Sequence, residues 1–142
     1  MSLTQGLTTQ FKVNCLSGLE NFAVGTGYVY KIALYTASAT LNSTTTAYTA
    51  VNEVSGGGYT VGGKTLTVVP TAYSNQDNTA YVSFNNVTWT PASFTCRGAL
   101  IYNATTGASV CVLDFGADKT ATGTFTVTFP TADASNAIIR IS

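Results

Sequence analysis

The chain has 142 residues, 45% of them hydrophobic and only 8% charged, with a mean hydropathy of +0.22. Six basic and six acidic residues cancel, so nothing electrostatic points to nucleic acid or an anionic membrane surface. Histidine is absent, which excludes Ser-His-Asp and Cys-His catalysis. One domain with a sizeable core is expected. Threonine makes up nearly a fifth of the residues, and threonine favours strands.

In chain order, residues 1–7 read as a flexible arm ahead of a single domain over residues 8–142. Thr8 or Thr9 caps an expected helix over residues 9–19, with Phe11, Cys15 and Leu19 on one face and Leu16 beside them. Tyr28 to Tyr35 reads as a strand with Tyr28, Tyr30, Ile32 and Leu34 on one face. Residues 36–46 are small and polar, an exposed loop. Tyr48 to Val54 fits either a short strand or a helical turn. Lys64 to Val69 is an expected strand stopped by Pro70, and Thr71 to Asn78 an expected loop. Tyr81 to Thr90 is extended, but its apolar parity switches at Asn85-Asn86, the mark of a bulge or bend.

The centre of the chain is the run from Phe94 to Phe115, set apart by Pro91. Two apolar segments flank Asn103-Ala104-Thr105-Thr106-Gly107, a hairpin loop ending in a residue that tolerates positive φ. Pairing Tyr102 with Ala108 sets Leu100 opposite Val110, Ala99 opposite Cys111 and Arg97 opposite Leu113. Both faces of this hairpin are apolar in the middle, so it requires cover on both sides. Gly116 to Gly123 reads as a turn region. Phe125, Val127 and Phe129 then alternate with threonines up to Pro130, and Ala137 to Ser142 forms a last strand with Ile139 and Ile141 on one face. Short strands separated by turn signals, with one early helix, predict a mainly β protein. The expected architecture is an antiparallel β-sandwich, with the jelly roll as leading topology.

Several motifs fail on context. Gly58-Tyr59-Thr60-Val61-Gly62-Gly63-Lys64-Thr65 spells a phosphate-binding loop, but such a loop must follow a buried strand and open a helix. Here Thr65 to Val69 alternates as a strand, so no nucleotide or other cofactor is expected. Asp114-Phe115-Gly116 lacks the kinase motifs that would accompany it. Asp114, Asp118 and Asp133 lack calcium-loop spacing, and no metal is expected. Cys15, Cys96 and Cys111 fit neither a zinc pattern nor a disulfide framework. Cys96 and Cys111 fall on opposite faces of the expected hairpin, and all three read as free thiols in a reducing compartment. The sequons at Asn42, Asn86 and Asn103 fit chance in so Thr- and Asn-rich a chain. No signal peptide or membrane span is read. Tyr48, Tyr59 and Tyr73, placed in loops, are candidates for stacking on a sugar or a neighbouring subunit.

Almost the whole chain resembles small virion structural proteins of tailed bacteriophages. The matching text is Phe11-Lys12-Val13, Gly18-Leu19-Glu20-Asn21-Phe22, Tyr30-Lys31-Ile32-Ala33-Leu34-Tyr35-Thr36, Asn52-Glu53-Val54-Ser55-Gly56-Gly57-Gly58-Tyr59, Arg97-Gly98-Ala99-Leu100-Ile101-Tyr102-Asn103 and Ala132-Asp133-Ala134-Ser135-Asn136-Ala137-Ile138-Ile139-Arg140. The analogy implies a non-enzymatic cement or decoration protein. It would be made in the bacterial host cytoplasm and seated on the outer capsid surface. Its implied partners are the major capsid protein and copies of itself, as a dimer or trimer, with no nucleic acid and no membrane. The alternative is a receptor- or carbohydrate-binding module of a tail or head fibre. The candidate interface residues are Leu3 and Leu7 in the arm, with Tyr48, Tyr59 and Tyr73 in loops.

Overall fold

A hairpin that is apolar on both faces has to be enclosed, and the rest of this chain encloses it. The computed structural model describes residues 2–141, the side chain of Tyr73 excepted. Its elements are β1 (Gly6–Leu7), α1 (Thr9–Leu16), β2 (Tyr30–Tyr35), β3 (Lys64–Thr65), β4 (Val68–Ser74), β5 (Thr79–Phe84), β6 (Val87–Asn103), β7 (Ser109–Val127) and β8 (Ile139–Ile141). They form a five-stranded sheet in the order β1-β7-β6-β2-β3 and a three-stranded sheet in the order β4-β5-β8. Every strand pairing is antiparallel. The mainly β, two-sheet architecture is thus as expected. The jelly-roll order is not confirmed, because the sheet is built around two long strands that are neighbours in sequence.

The main core lies between the sheets. Tyr30, Ile32 and Leu34 of β2, Trp89, Phe94 and Ile101 of β6 and Val110, Cys111 and Leu113 of β7 share one buried cluster with Val82 and Phe84 of β5 and Ile139 of β8. On the opposite face of the large sheet a second cluster forms from Ala33, Tyr35, Leu100, Tyr102 and Val112, covered by Ala39 and Leu41 of the irregular 36–54 segment. Each large apolar side chain so buried contributes about 1.5–3 kcal/mol.

Several boundaries differ from those read in the sequence, for identifiable reasons. The helix ends at Leu16 rather than residue 19, because Gly18 takes φ +72°, a left-handed conformation that closes helices. Thr8 is the N-cap, its Oγ1 accepting from the Phe11 amide at 3.2 Å. Phe11 and Asn14 face inward while Leu16 is 91% exposed, because Asn14 is tied to Glu20 and Gln10. Pro70 does not stop its strand. It sits inside β4 at a register shift between Val69 and Ala72, so residues 71–74 are strand rather than loop. Pro91 likewise lies within β6, where the register shifts between Trp89 and Ala92; bulges tolerate a residue with no amide to donate. The expected turn at 116–123 is strand too. Residues 115–118 bulge out of β7 between the pairs Gly98–Asp114 and Cys96–Lys119.

In the hairpin the expected loop holds, with Gly107 at φ +84°, but the register is corrected. Tyr102 pairs with Ser109, and a bulge at Val110 then sets Ile101 opposite Cys111, Leu100 opposite Val112 and Ala99 opposite Leu113. Cys96 and Cys111 consequently face the same cluster rather than opposite faces; both thiols are free. The break at Asn85-Asn86 is where the chain passes from the small sheet to the large one. The Asn86 side chain accepts from the Phe129 amide at 2.9 Å.

Residues 2–7 are not a free arm. Leu3 bridges in parallel to Leu41, the Thr4 amide donates to the Leu41 carbonyl at 2.9 Å, and Gly6 and Leu7 pair with Val112 and Cys111. Leu3 packs on the second cluster and Leu7 on the first. A chain lacking residues 1–7 should therefore lose about 2–4 kcal/mol from these two side chains, read as a lower urea midpoint. An unchanged midpoint would return the segment to the status of an arm.

Burial pushes the thiols of Cys96 and Cys111 from an ordinary 9.0 up to about 12, with the Asp118 carboxylate adding to the effect at Cys96. It also holds the phenols of Tyr30, Tyr35 and Tyr59 well above their usual range. The folded chain keeps these protons where the unfolded chain releases them, so their contribution is complete below about pH 9 and is lost as pH climbs through about 12. Urea midpoints should be level from neutral pH to about 9 and fall steeply above it; a level profile to pH 12 would contradict this.

Candidate functional site

The long hairpin has two halves. The inner half, from Gly98 to Leu113, is embedded. In the outer half, β6 over residues 87–97 and β7 over residues 117–127, alternate side chains part company. Trp89, Ala92, Phe94, Ala121 and Val127 point into the core, while Thr88, Thr90, Ser93, Thr95, Thr120, Thr122, Thr124 and Thr126 are exposed. Strand alternation puts all eight hydroxyls on one face. Cross-strand register makes them a ladder: Thr88 lies opposite Thr126, Ser93 opposite Thr122 and Thr95 opposite Thr120. The Thr88–Thr126 and Thr95–Thr120 hydroxyls are 3.0 Å apart, and Thr124 donates to Thr90 at 3.4 Å.

This face carries no charged side chain until its inner end, where Arg97 and Asp118 pair at 2.9 Å. It is about 20 Å long at the usual strand rise. Each threonine offers a methyl and a hydroxyl at a position fixed by the ladder. Such a surface can bind a flat, uncharged partner through dispersion and neutral hydrogen bonds, with little side-chain entropy left to lose because β-branched side chains are stiff. Among the described residues, beyond the short β1 pairing, β7 is hydrogen-bonded to a strand only on its β6 side.

The tyrosines expected to serve in loops are mostly committed inward. Tyr59 is 6% exposed. Its hydroxyl accepts from the Leu34 amide at 2.9 Å and donates to Glu53, and its ring packs near Trp89 and Phe94. Tyr48 is half-buried, stacks on Tyr102 at 4.6 Å and donates to Glu53 at 2.5 Å. Tyr73 lies in β4 opposite Ala80; its side chain is outside the described residues. Leu3 and Leu7 pack on their own chain, as above. The five sequence candidates are therefore not brought together on one surface.

Two of them, Tyr48 and Tyr59, instead meet at Glu53. It is 8% exposed. Its carboxylate accepts from Tyr48, Tyr59 and, at 2.7 Å, the Gly62 amide. Tyr102 donates to the Gly62 carbonyl at 2.7 Å, so the acid, three phenols and both backbone groups of Gly62 form a knot that fastens the 48–63 segment to the large sheet. The signal was the flanking of a single Glu by Tyr48 and Tyr59 in a chain with few charges.

The phosphate-loop spelling serves the same fastening. Lys64 opens strand β3, not a helix, and its Nζ donates to the Thr88 carbonyl at 2.7 Å. Glycine is required at 63 because φ is +80° and an added Cβ would sit 1.8 Å from the Ile32 carbonyl oxygen. Among the described residues no group of three or more His, Cys, Asp or Glu is placed to hold a metal ion, and no helix is long and apolar enough to cross a membrane. Compared with protein-family models, curated proteins and solved structures, the chain matches none.

Replacing Glu53 with Ala should cost roughly 3 kcal/mol or more, since it strands the Tyr59 and Tyr48 hydroxyls and the Gly62 amide at once. Urea unfolding measures this; a loss under about 1 kcal/mol would mean that water takes over the knot.

Proposed function

We propose that this chain is a structural protein of a tailed-phage virion, acting as a cement or decoration protein that seats on the outside of the head and binds the major capsid protein. The resemblance running from Phe11 to Arg140 supplies the class. The observation that carries the mechanism is the uncharged hydroxyl ladder on the outer half of the hairpin, a rigid face suited to lying on another flat protein surface. Lateral contact with further copies as a dimer or trimer completes the reading, and a net charge of zero leaves no long-range repulsion to oppose it. The fibre alternative drew on loop tyrosines for stacking on sugar; Tyr48 and Tyr59 have their rings packed on the chain's own core.

A face of this kind gives attachment that salt barely changes, because few charges are there to be screened. Binding to purified heads should be nearly equal at low and moderate ionic strength. Thr122→Glu together with Thr124→Glu should weaken it at least about tenfold, as two carboxylates would have to be desolvated. Fold stability should move by no more than about 0.5 kcal/mol per surface substitution. Release on modest addition of salt, or normal attachment of the double variant, would count against this mechanism. Many copies spread over the head would agree with cement, and a few copies at one position with a fibre.

A further inference from the structure

A second acid, Glu20, is held quite differently from Glu53. It lies at a cleft of about 200 Å³ where α1 meets the three-stranded sheet, walled by Phe11, Phe22, Tyr81, Ile139 and Ile141. Its Oε1 accepts from the Tyr30 hydroxyl at 2.8 Å and the Asn103 amide nitrogen at 3.1 Å, and among the described residues its Oε2 has only a long bond from Asn14 at 3.3 Å. All three donors are neutral. Among the described residues the ion pair is Arg97–Asp118, on the outer hairpin, so no lysine or arginine lies within 4 Å of Glu20.

A carboxylate in apolar surroundings without a cation is costly unless something compensates it. Its field is felt nearby: the Cys15 thiol, which also lines the cleft, is held above its usual range by burial and by Glu20. The Glu53 carboxylate has no such opening; two phenols and an amide fill it, and it lines none of the clefts described. At Glu20 the walls are aromatic and aliphatic, and aromatic faces attract cations.

We propose that this cleft is a binding site for a small primary amine with a compact apolar body, its ammonium donating to Glu20 Oε2 and its hydrocarbon part lying against Phe11, Phe22 and Tyr81. The volume sets the size. It is below the roughly 300–1,000 Å³ of drug-sized sites, which limits the ligand to about ten non-hydrogen atoms. This site is separate from the threonine ladder, and the inference does not depend on the capsid reading.

The test uses 2-phenylethylamine and its neutral analogue 2-phenylethanol, titrated into the full chain at neutral pH and followed by NMR. The amine should shift the Phe22, Tyr81 and Ile139 resonances saturably, and the alcohol should bind at least about tenfold more weakly. Glu20→Gln should bring the amine down to the alcohol's affinity. Ala80→Leu, at an exposed position on the cleft wall that is not one of the Glu20 donors, should weaken both ligands, and it keeps the test valid if Glu20→Gln does not fold. Equal binding of amine and alcohol, full amine affinity in a folded Glu20→Gln, or no saturation by about 10 mM, would each overturn the assignment.

Discussion

The inner half of the β6–β7 hairpin is apolar on both faces, and the rest of the fold answers that one constraint. On one side the answer is regular: the three-stranded sheet lays Val82, Phe84 and Ile139 against it. On the other side the described residues form no further sheet. Cover comes from Ala39, Leu41 and Tyr48 of the irregular 36–54 segment and from Leu3, and irregular backbone brings no ladder of its own to hold it down. Side chains supply what a ladder would. Tyr35 donates to the Thr49 carbonyl at 2.5 Å, Tyr48 and Tyr59 to Glu53, and Tyr102 to the Gly62 carbonyl. This explains why a chain with so few charges keeps an acid inside, and why its phenols, which combine a large apolar ring with one donor, are concentrated there.

What could be read in the sequence follows from the range of the forces involved. Thr8 as cap, Gly107 in the hairpin loop, and the parity switch at Asn85-Asn86 depend on residues a few positions apart, and each is found. Pro70, Pro91 and the Gly116–Gly123 stretch were read as stops. Local chemistry shows only that the backbone there is irregular; whether it ends a strand or bulges within one is decided by the partner strand. The hairpin register failed for the same reason, since a bulge at Val110 cannot be seen from either strand alone. Leu3 and Leu7 looked like an unattached arm because their partners, Leu41 and the Cys111–Val112 pair, are distant in sequence. Glu20 is hidden by the same distance, since its Asn103 partner lies 83 residues away; Glu53 has its partners within nine residues, but only the fold of that irregular segment turns them onto one carboxylate.

The two halves of the hairpin divide burial and display between them. Anchored by its inner half, the outer half can hold Trp89 and Phe94 of one face against Tyr59 and present the other as aligned threonines without losing its place. The exposed hydroxyls hydrogen-bond one another across the strands, so the surface is ordered before any partner arrives. Preorganisation of this kind lowers the entropy cost of docking. It also suits a chain with too few charges to steer its partner from a distance.

The pairing of Gly6 and Leu7 with Val112 and Cys111 has a consequence during synthesis. Thr8 is buried beside Ser109, which donates to it at 2.9 Å, so neither β1 nor the cap of α1 can reach its native setting until residue 112 has left the ribosome. At about 5–20 residues per second that is a wait of roughly 5–20 s. Throughout it the first strand has no native partner, and β2 likewise lacks β6. Folds governed by such distant pairings form slowly and keep strand edges open while they do. The nascent protein is therefore most vulnerable to wrong pairing just before its central hairpin emerges, and any product truncated ahead of residue 112 carries sticky edges with nothing native to close them.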